Sequence, residues 1–213
     1  MSTQAPLHRV TTVKGTIVTN PPLARLIFDD TRFAVVWLVI RVLVGWEWVQ
    51  AGWHKIFTAD GSFNPAWMGA DGAGLAGFWT NIVGPKSTAN YGWYKSFIQF
   101  LLDAGTAPWF SKLVAFGELA VGVALIVGAF VGIAAFFGAL MNWNYVMAGV
   151  ASSNGLLFLV GGLLMLAWKI AGYWGLDRFI LPRLGMPWPG KPIVADVPVA
   201  SSTRSASASG ADR

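Results

Sequence analysis

Residues 109–152 run as one continuous apolar tract with a carboxylate, Glu118, set inside it. A single helix of that length would be about twice what a ~30 Å hydrocarbon core needs, so the tract must fold back on itself. Gly128-Ala129-Phe130-Val131-Gly132 offers the turn, and splitting there gives a tight hairpin of two spans, 109–131 and 133–152. Stretches 33–56 and 156–174 are also apolar and long enough to cross. The expected fold is therefore an all-α integral membrane protein, a four-transmembrane-helix bundle. Composition agrees: 55% of the 213 residues are apolar and only 12% are charged, outside ordinary soluble usage.

The first 32 residues mix Thr, Pro and charges and hold no apolar run that could serve as a cleavable signal. Segment 1–32 reads as a retained cytoplasmic N-terminal segment and 33–181 as the membrane domain. Segment 182–213, rich in Pro, Ala and Ser from Pro187 onward, reads as a flexible cytoplasmic tail. Basic residues set the orientation. Arg9, Lys14, Arg25 and Arg32 precede the first span and Arg178, Arg183, Lys191, Arg204 and Arg213 follow the last, against Lys86 and Lys95 in the connection 57–108. Both termini are expected in the cytoplasm of a bacterial or archaeal cell, the chain being multi-pass in the cell membrane, with the long connection outside. That connection opens Gly/Asp-rich, and 91–103 then reads as a short interfacial amphipathic helix. Tyr94, Phe97, Ile98 and Leu101 take one face and Lys95, Gln99 and Asp103 the other.

Zero cysteines exclude disulfides, thiolate metal sites, iron–sulfur clusters and CxxC redox exchange. Two histidines, His8 in the tail and His54 at a span end, cannot form a bis-histidine haem site within one chain's membrane core. No metal or haem is expected. The net charge of +5 is spread through the tails rather than gathered in a patch, so no nucleic-acid partner is expected either.

Function is sought where charge enters the apolar segments: Arg41, Glu47 and Glu118. A charged side chain at bilayer depth costs on the order of 2.5–3.5 kcal/mol on insertion scales and normally faces a bundle interior with a partner. Counting about 1.5 Å per residue from each outer span end puts Glu47 and Glu118 about 13 Å deep and Asn142 and Asn144 about 12–15 Å deep, one polar layer. Arg41 lies about 9 Å cytoplasmic of Glu47. At 100° per residue, Arg41, Gly45, Trp48, Gly52 and Lys55 form one stripe of the first span, and Glu47, Gln50 and His54 a neighbouring one. Gly45 and Gly52 let a second helix approach closely on the Arg41 side, and Gly117 and Gly122 do the same beside Glu118. Two readings fit the acids and Arg41: a clamp between helices, or a ligand and proton site. The asparagines fit interhelical hydrogen bonding, Tyr145 and the tryptophans packing or an interfacial belt, and His54 an interfacial residue or a quinone-head donor.

Arg41-x3-Gly45-x6-Gly52-x2-Lys55 in the first span and Gly117-Glu118-x3-Gly122-x2-Leu125-x2-Gly128 in the second resemble the DoxX/DoxD family. Asn142, Asn144 and Gly175-Leu176-Asp177-Arg178 continue the resemblance across 33–181. It implies a small four-helix membrane protein similar to the large subunit of thiosulfate:quinone oxidoreductase. Such a protein would work with a second subunit, oxidise thiosulfate to tetrathionate and pass electrons to membrane quinone. The family often carries a basic residue at the turn between spans two and three; here Gly128–Gly132 is uncharged.

On this expectation a quinone head group sits near Glu47 and Glu118 as catalytic acids, with Arg41, Trp48, His54, Asn142 and Asn144 as quinone or substrate contacts. A carboxylate in low dielectric has a raised pKa and can hold the proton that quinone reduction requires. Quinone is then the electron acceptor, and the partners are membrane lipid and a second subunit or further copies of the chain. A non-catalytic anchor or assembly subunit of a redox complex, whose charges only fix helix packing, is the rival reading. A small proton-driven transporter is a third, set back by the lack of a broken helix or evident inverted repeat.

Overall fold

Why the first long helix forms where it does is visible at its start. In a computed structural model, which describes residues 11–12, 15–16, 20–150 and 152–186, Asp30 accepts a hydrogen bond from the Arg32 backbone N–H at 2.9 Å and opens a 3₁₀ turn, Thr31–Phe33. The chain before it makes a two-residue antiparallel pairing, β1 (Thr11–Thr12) with β2 (Gly15–Thr16), and a short helix α1 (Pro22–Phe28) that starts on a proline. His8, Arg9 and Lys14, and the tail from Pro187 with Lys191, Arg204 and Arg213, lie outside the described residues.

The remaining elements are helical. They run α2 (Ala34–Ile56), α3 (Pro65–Met68), α4 (Ala73–Val83), α5 (Gly92–Asp103), α6 (Ala107–Val127), α7 (Val131–Met147), α8 (Asn154–Leu166), α9 (Trp168–Ala171) and α10 (Asp177–Arg183). Residues 31–56 and α6 are long and apolar enough to cross a membrane; α7, with 17 residues, and α8, with 13, are apolar and shorter. A break at Ala167 separates α8 from α9.

The glycine stripes do what their spacing implies. Gly45 and Gly52 of α2 lie against α6, where a β-carbon at Gly52 would fall 2.6 Å from the Leu119 nitrogen, and one at Gly45 would fall 2.9 Å from the Gly122 carbonyl oxygen. Gly122 answers from the other side, close to the Val49 backbone. Gly117 is different: its β-carbon position has only Met141 Sδ, at 4.0 Å, nearby. The turn after α6 is also where the glycines place it, with Gly128 left-handed at φ 71° and Phe130 at φ 49°. A left-handed bulky residue costs on the order of 1–3 kcal/mol and needs support. Asp177 supplies it, accepting from the Phe130 N–H at 2.5 Å and the Val131 N–H at 2.9 Å and so capping α7 from a distant segment.

The connection 57–108 holds three helices where the sequence reading expects one. Leu75, Trp79 and Ile82, at helical spacing, give α4 a buried stripe inside what reads as Gly/Asp-rich loop. With Tyr94 and Ile98 of α5 they form a second core beside the main one, which is built from Trp37, Val44, Trp48, Leu125, Val131, Leu164 and Ile170. On α5 the expected face divides: Tyr94 and Ile98 are buried, whereas Phe97, with Trp93 and Phe100, is exposed. α5 therefore carries an exposed apolar stripe in addition to its buried one, beside the polar stripe of Gln99 and Asp103.

Candidate functional site

The register of α2 on α6 decides which charges meet. Gly52 sits opposite Ala115 and Leu119, and Gly45 opposite Gly122 and Ile126. Glu118 is thus level with the Gly52 turn, and Glu47 lies about one helical turn (~5.4 Å) deeper. Counting from span ends puts these two acids level because it assumes the ends align; α6 begins further out than α2 ends.

Glu118, only 1% exposed, is held from two other helices. Lys55 Nζ of α2 donates to Oε2 at 2.6 Å, and the Tyr145 hydroxyl of α7 donates to Oε1 at 2.7 Å. The Lys55 ammonium also lies 5.1 Å from the centre of the Trp67 ring. The carboxylate's charge is matched and its oxygens are occupied, so Glu118 is a fixed, neutralised ion pair inside the bundle. Sequence reasoning placed Lys55 on the correct stripe and in the family motif without pairing it with Glu118, and read Tyr145 as packing.

These groups line a cavity of about 310 Å³ with Glu47, Trp48, Ala51, Trp67, Phe78, Asn142, Ser153 and Asn154. Asn142 is 1% exposed, yet neither its amide nitrogen nor its oxygen meets a protein partner. A buried orphan group of this kind costs about 1–3 kcal/mol, and here both ends of one amide are orphaned. Glu47 is exposed on the surface of α2 and lines the same cavity from its rim.

The other expected site residues fall elsewhere. Asn144, two residues and about 200° from Asn142, turns away; its amide donates to Leu140 O at 2.8 Å, and it receives the Tyr94 hydroxyl on its backbone oxygen at 3.1 Å. Burial pushes the Tyr94 hydroxyl up to about 12, so it keeps its proton and remains a donor. His54 is exposed, and its backbone carbonyl accepts from the Asn64 side chain at 3.0 Å. Arg41 is 1% exposed and lines neither this cavity nor the neighbouring cleft. Its guanidinium donates to the carbonyls of Leu125, Ile126 (2.7 Å) and Trp174 (3.0 Å), packed over Gly128. It is a cation at the C-terminal end of α6, where the helix dipole favours one. The turn that is uncharged in sequence thus receives both charges through space, Arg41 at the end of α6 and Asp177 at the start of α7.

Apolar helices around a buried ion pair and a polar cavity define a helical membrane protein with an internal polar site. The DoxX family model matches residues 36–150, more than half of the chain, and the chain belongs to the DoxX family. The match spans Arg41, Lys55, Glu118, Asn142 and Tyr145 and ends before α8 and Asp177. No curated protein and no solved structure matches the chain.

Proposed function

We propose that the chain is a quinone-interacting membrane subunit, with the quinone head group in the Glu118 cavity. One observation carries this: the orphaned Asn142 amide faces a cavity walled by Trp48, Trp67, Phe78 and Tyr145, beside a buried carboxylate. An amide N–H can donate to a ring carbonyl, the amide oxygen can accept from a ring hydroxyl, and flat aromatic walls suit a planar ring. About 310 Å³ is at the lower end for small-molecule sites and suits a head group rather than a whole long-tailed molecule. Bound quinone would supply two-electron acceptor chemistry. The protein's own part is to hold the ring and keep an exchangeable proton on the Tyr145–Glu118–Lys55 chain.

In this reading α2, α6, α7 and α8 with α9 are four spans, and both termini are cytoplasmic. Thiosulfate oxidation, which the family resemblance implies, is assigned to a partner subunit. The cation lining the cavity, Lys55, is already matched by Glu118, and Glu47 adds negative charge, so a dianion has no free counter-charge there. The anchor reading has its own support, since Lys55, Glu118 and Tyr145 tie α2, α6 and α7 together with no ligand.

Photolabelling in native membranes with an azido-quinone separates the two. The quinone reading expects adducts on Trp48, Phe78 or Tyr145, weakened about tenfold by Asn142→Leu, the equivalent of roughly 1.4 kcal/mol for lost hydrogen bonding. It also expects Glu118→Gln to slow quinone reduction by the intact complex. Adducts only on lipid-facing residues, with reduction unchanged in Glu118→Gln, would establish the anchor instead.

A further inference from the structure

A second cleft, larger than the Glu118 cavity at about 450 Å³, lies between the α4–α5 pair and the α6–α7 hairpin. Its interior is walled by Trp79, Ile98, Gly117, Val121 and Met141. Its polar groups are already satisfied: Tyr94 donates to Asn144, the Asn144 amide to Leu140 O, and Tyr145 to Glu118. An occupant therefore meets the Tyr94, Asn144 and Tyr145 side chains with their hydrogen bonds already made, unlike one at Asn142. The mouth is bounded by Leu113 (56% exposed), Phe137 (51%) and Leu140 (41%), on helices whose outer surfaces are apolar. In a membrane protein such a mouth faces the hydrocarbon itself.

We infer that this cleft is a binding slot for one acyl chain of a bilayer lipid, entering sideways between α6 and α7 beneath α5. Three features favour a chain over other occupants. The lining is mostly apolar, and its Tyr94, Asn144 and Tyr145 groups are engaged with one another, Leu140 and Glu118, so a polar solute would recover little of the hydration it lost. Gly117 leaves the α6 side open: the groove exists because that position has no side chain, and unlike Gly52 and Gly122 it packs no helix. Phe100 of α5 is exposed, and Phe97, which lines the cleft, is half-exposed at its edge, which seats the roof of the cleft at the lipid interface. The inner wall is Tyr145, whose ring lies 6.0 Å from that of Phe78 and whose hydroxyl holds Glu118. A seated chain therefore touches the residue that also walls the polar cavity, although the slot itself does not depend on quinone binding there.

Trp79, 4% exposed and lining the slot, is the reporter. The full chain is reconstituted in phosphatidylcholine vesicles whose acyl chains are dibrominated, and the emission of a Trp79→Phe variant is subtracted from that of the unmodified chain to isolate Trp79. The expected result is that the Trp79 component loses at least half its intensity relative to unbrominated vesicles. Gly117→Leu, which fills the slot without meeting backbone, should restore it, and Ala120→Phe gives a second filling variant should the first fail to reconstitute. A Trp79 component unquenched by brominated lipid would overturn the inference. So would its recovery on adding a few per cent of a long-tailed quinone, which would make the occupant a quinone tail.

Discussion

Lys55 and Glu118 are separated by 63 residues, most of them the connection that holds α3, α4 and α5, yet they share a largely buried 2.6 Å contact. Removing one member of such a pair leaves the other buried without a counter-charge, whereas removing both leaves a site that apolar side chains can fill. Lys55→Met alone should therefore cost about 3–5 kcal/mol, and Lys55→Met with Glu118→Leu markedly less than the sum of the two single changes. Thermal unfolding of the unmodified chain and the three variants in one detergent measures this, and strictly additive losses would mean the pair is not coupled. Tyr145 complicates the double variant in a useful way, because it loses its acceptor only when Glu118 is gone. At this scale the sequence shows which residues are anomalous, since each is a charge or amide among apolar neighbours. It does not show whom they meet: Arg41 reads as a clamp between helices or as part of a ligand site, and only the fold sends it to the carbonyls at the end of α6.

Among the helices, the α2–α6 contact depends on the absence of side chains at three glycines, and the same helix pair contains its own control. At Gly52 a β-carbon would strike backbone at 2.6 Å, while at Gly117 the nearest neighbour is a methionine sulfur at 4.0 Å. Gly52→Leu should lower Tm sharply, by the equivalent of about 1–3 kcal/mol or more of overpacking. Gly117→Leu should leave Tm close to that of the unmodified chain. Equal effects at the two positions would contradict the packing described here. The spacing of Gly45, Gly52 and Gly122 made the close face legible in advance, because a seven-residue repeat of small residues on one face has few other uses. The helices α3 and α4 were not legible: their glycines and aspartate read as loop, and the stripe of Leu75, Trp79 and Ile82 becomes decisive only when α5 and α6 are there to cover it.

For the whole molecule, the proposed topology has a direct test that the zero-cysteine background makes clean. A single cysteine replacing Lys86, in the connection between α4 and α5, should react with a membrane-impermeant maleimide on intact cells. One replacing Arg183 should react only after the membrane is opened. The reverse pattern would invert the proposed orientation, and labelling of both from outside would remove the even number of spans. An all-helical apolar fold, the hairpin at Gly128 and the interior charges Arg41 and Glu118 were available from the sequence alone, because they rest on local hydrophobicity, segment length and the cost of burying charge, whereas Glu47 proves exposed and the buried Asp177 carried no such signal. The tertiary structure decided the rest. It set α2 against α6 so that Glu118 meets Lys55 rather than lying level with Glu47, and it turned Asn142 into the polar cavity and Asn144 out of it. It also brought Arg41 and Asp177 to an uncharged turn. The physical reason is the same in each case: periodicity reports the face a residue occupies, but the register between antiparallel helices is set by side-chain packing across a gap that no local window contains.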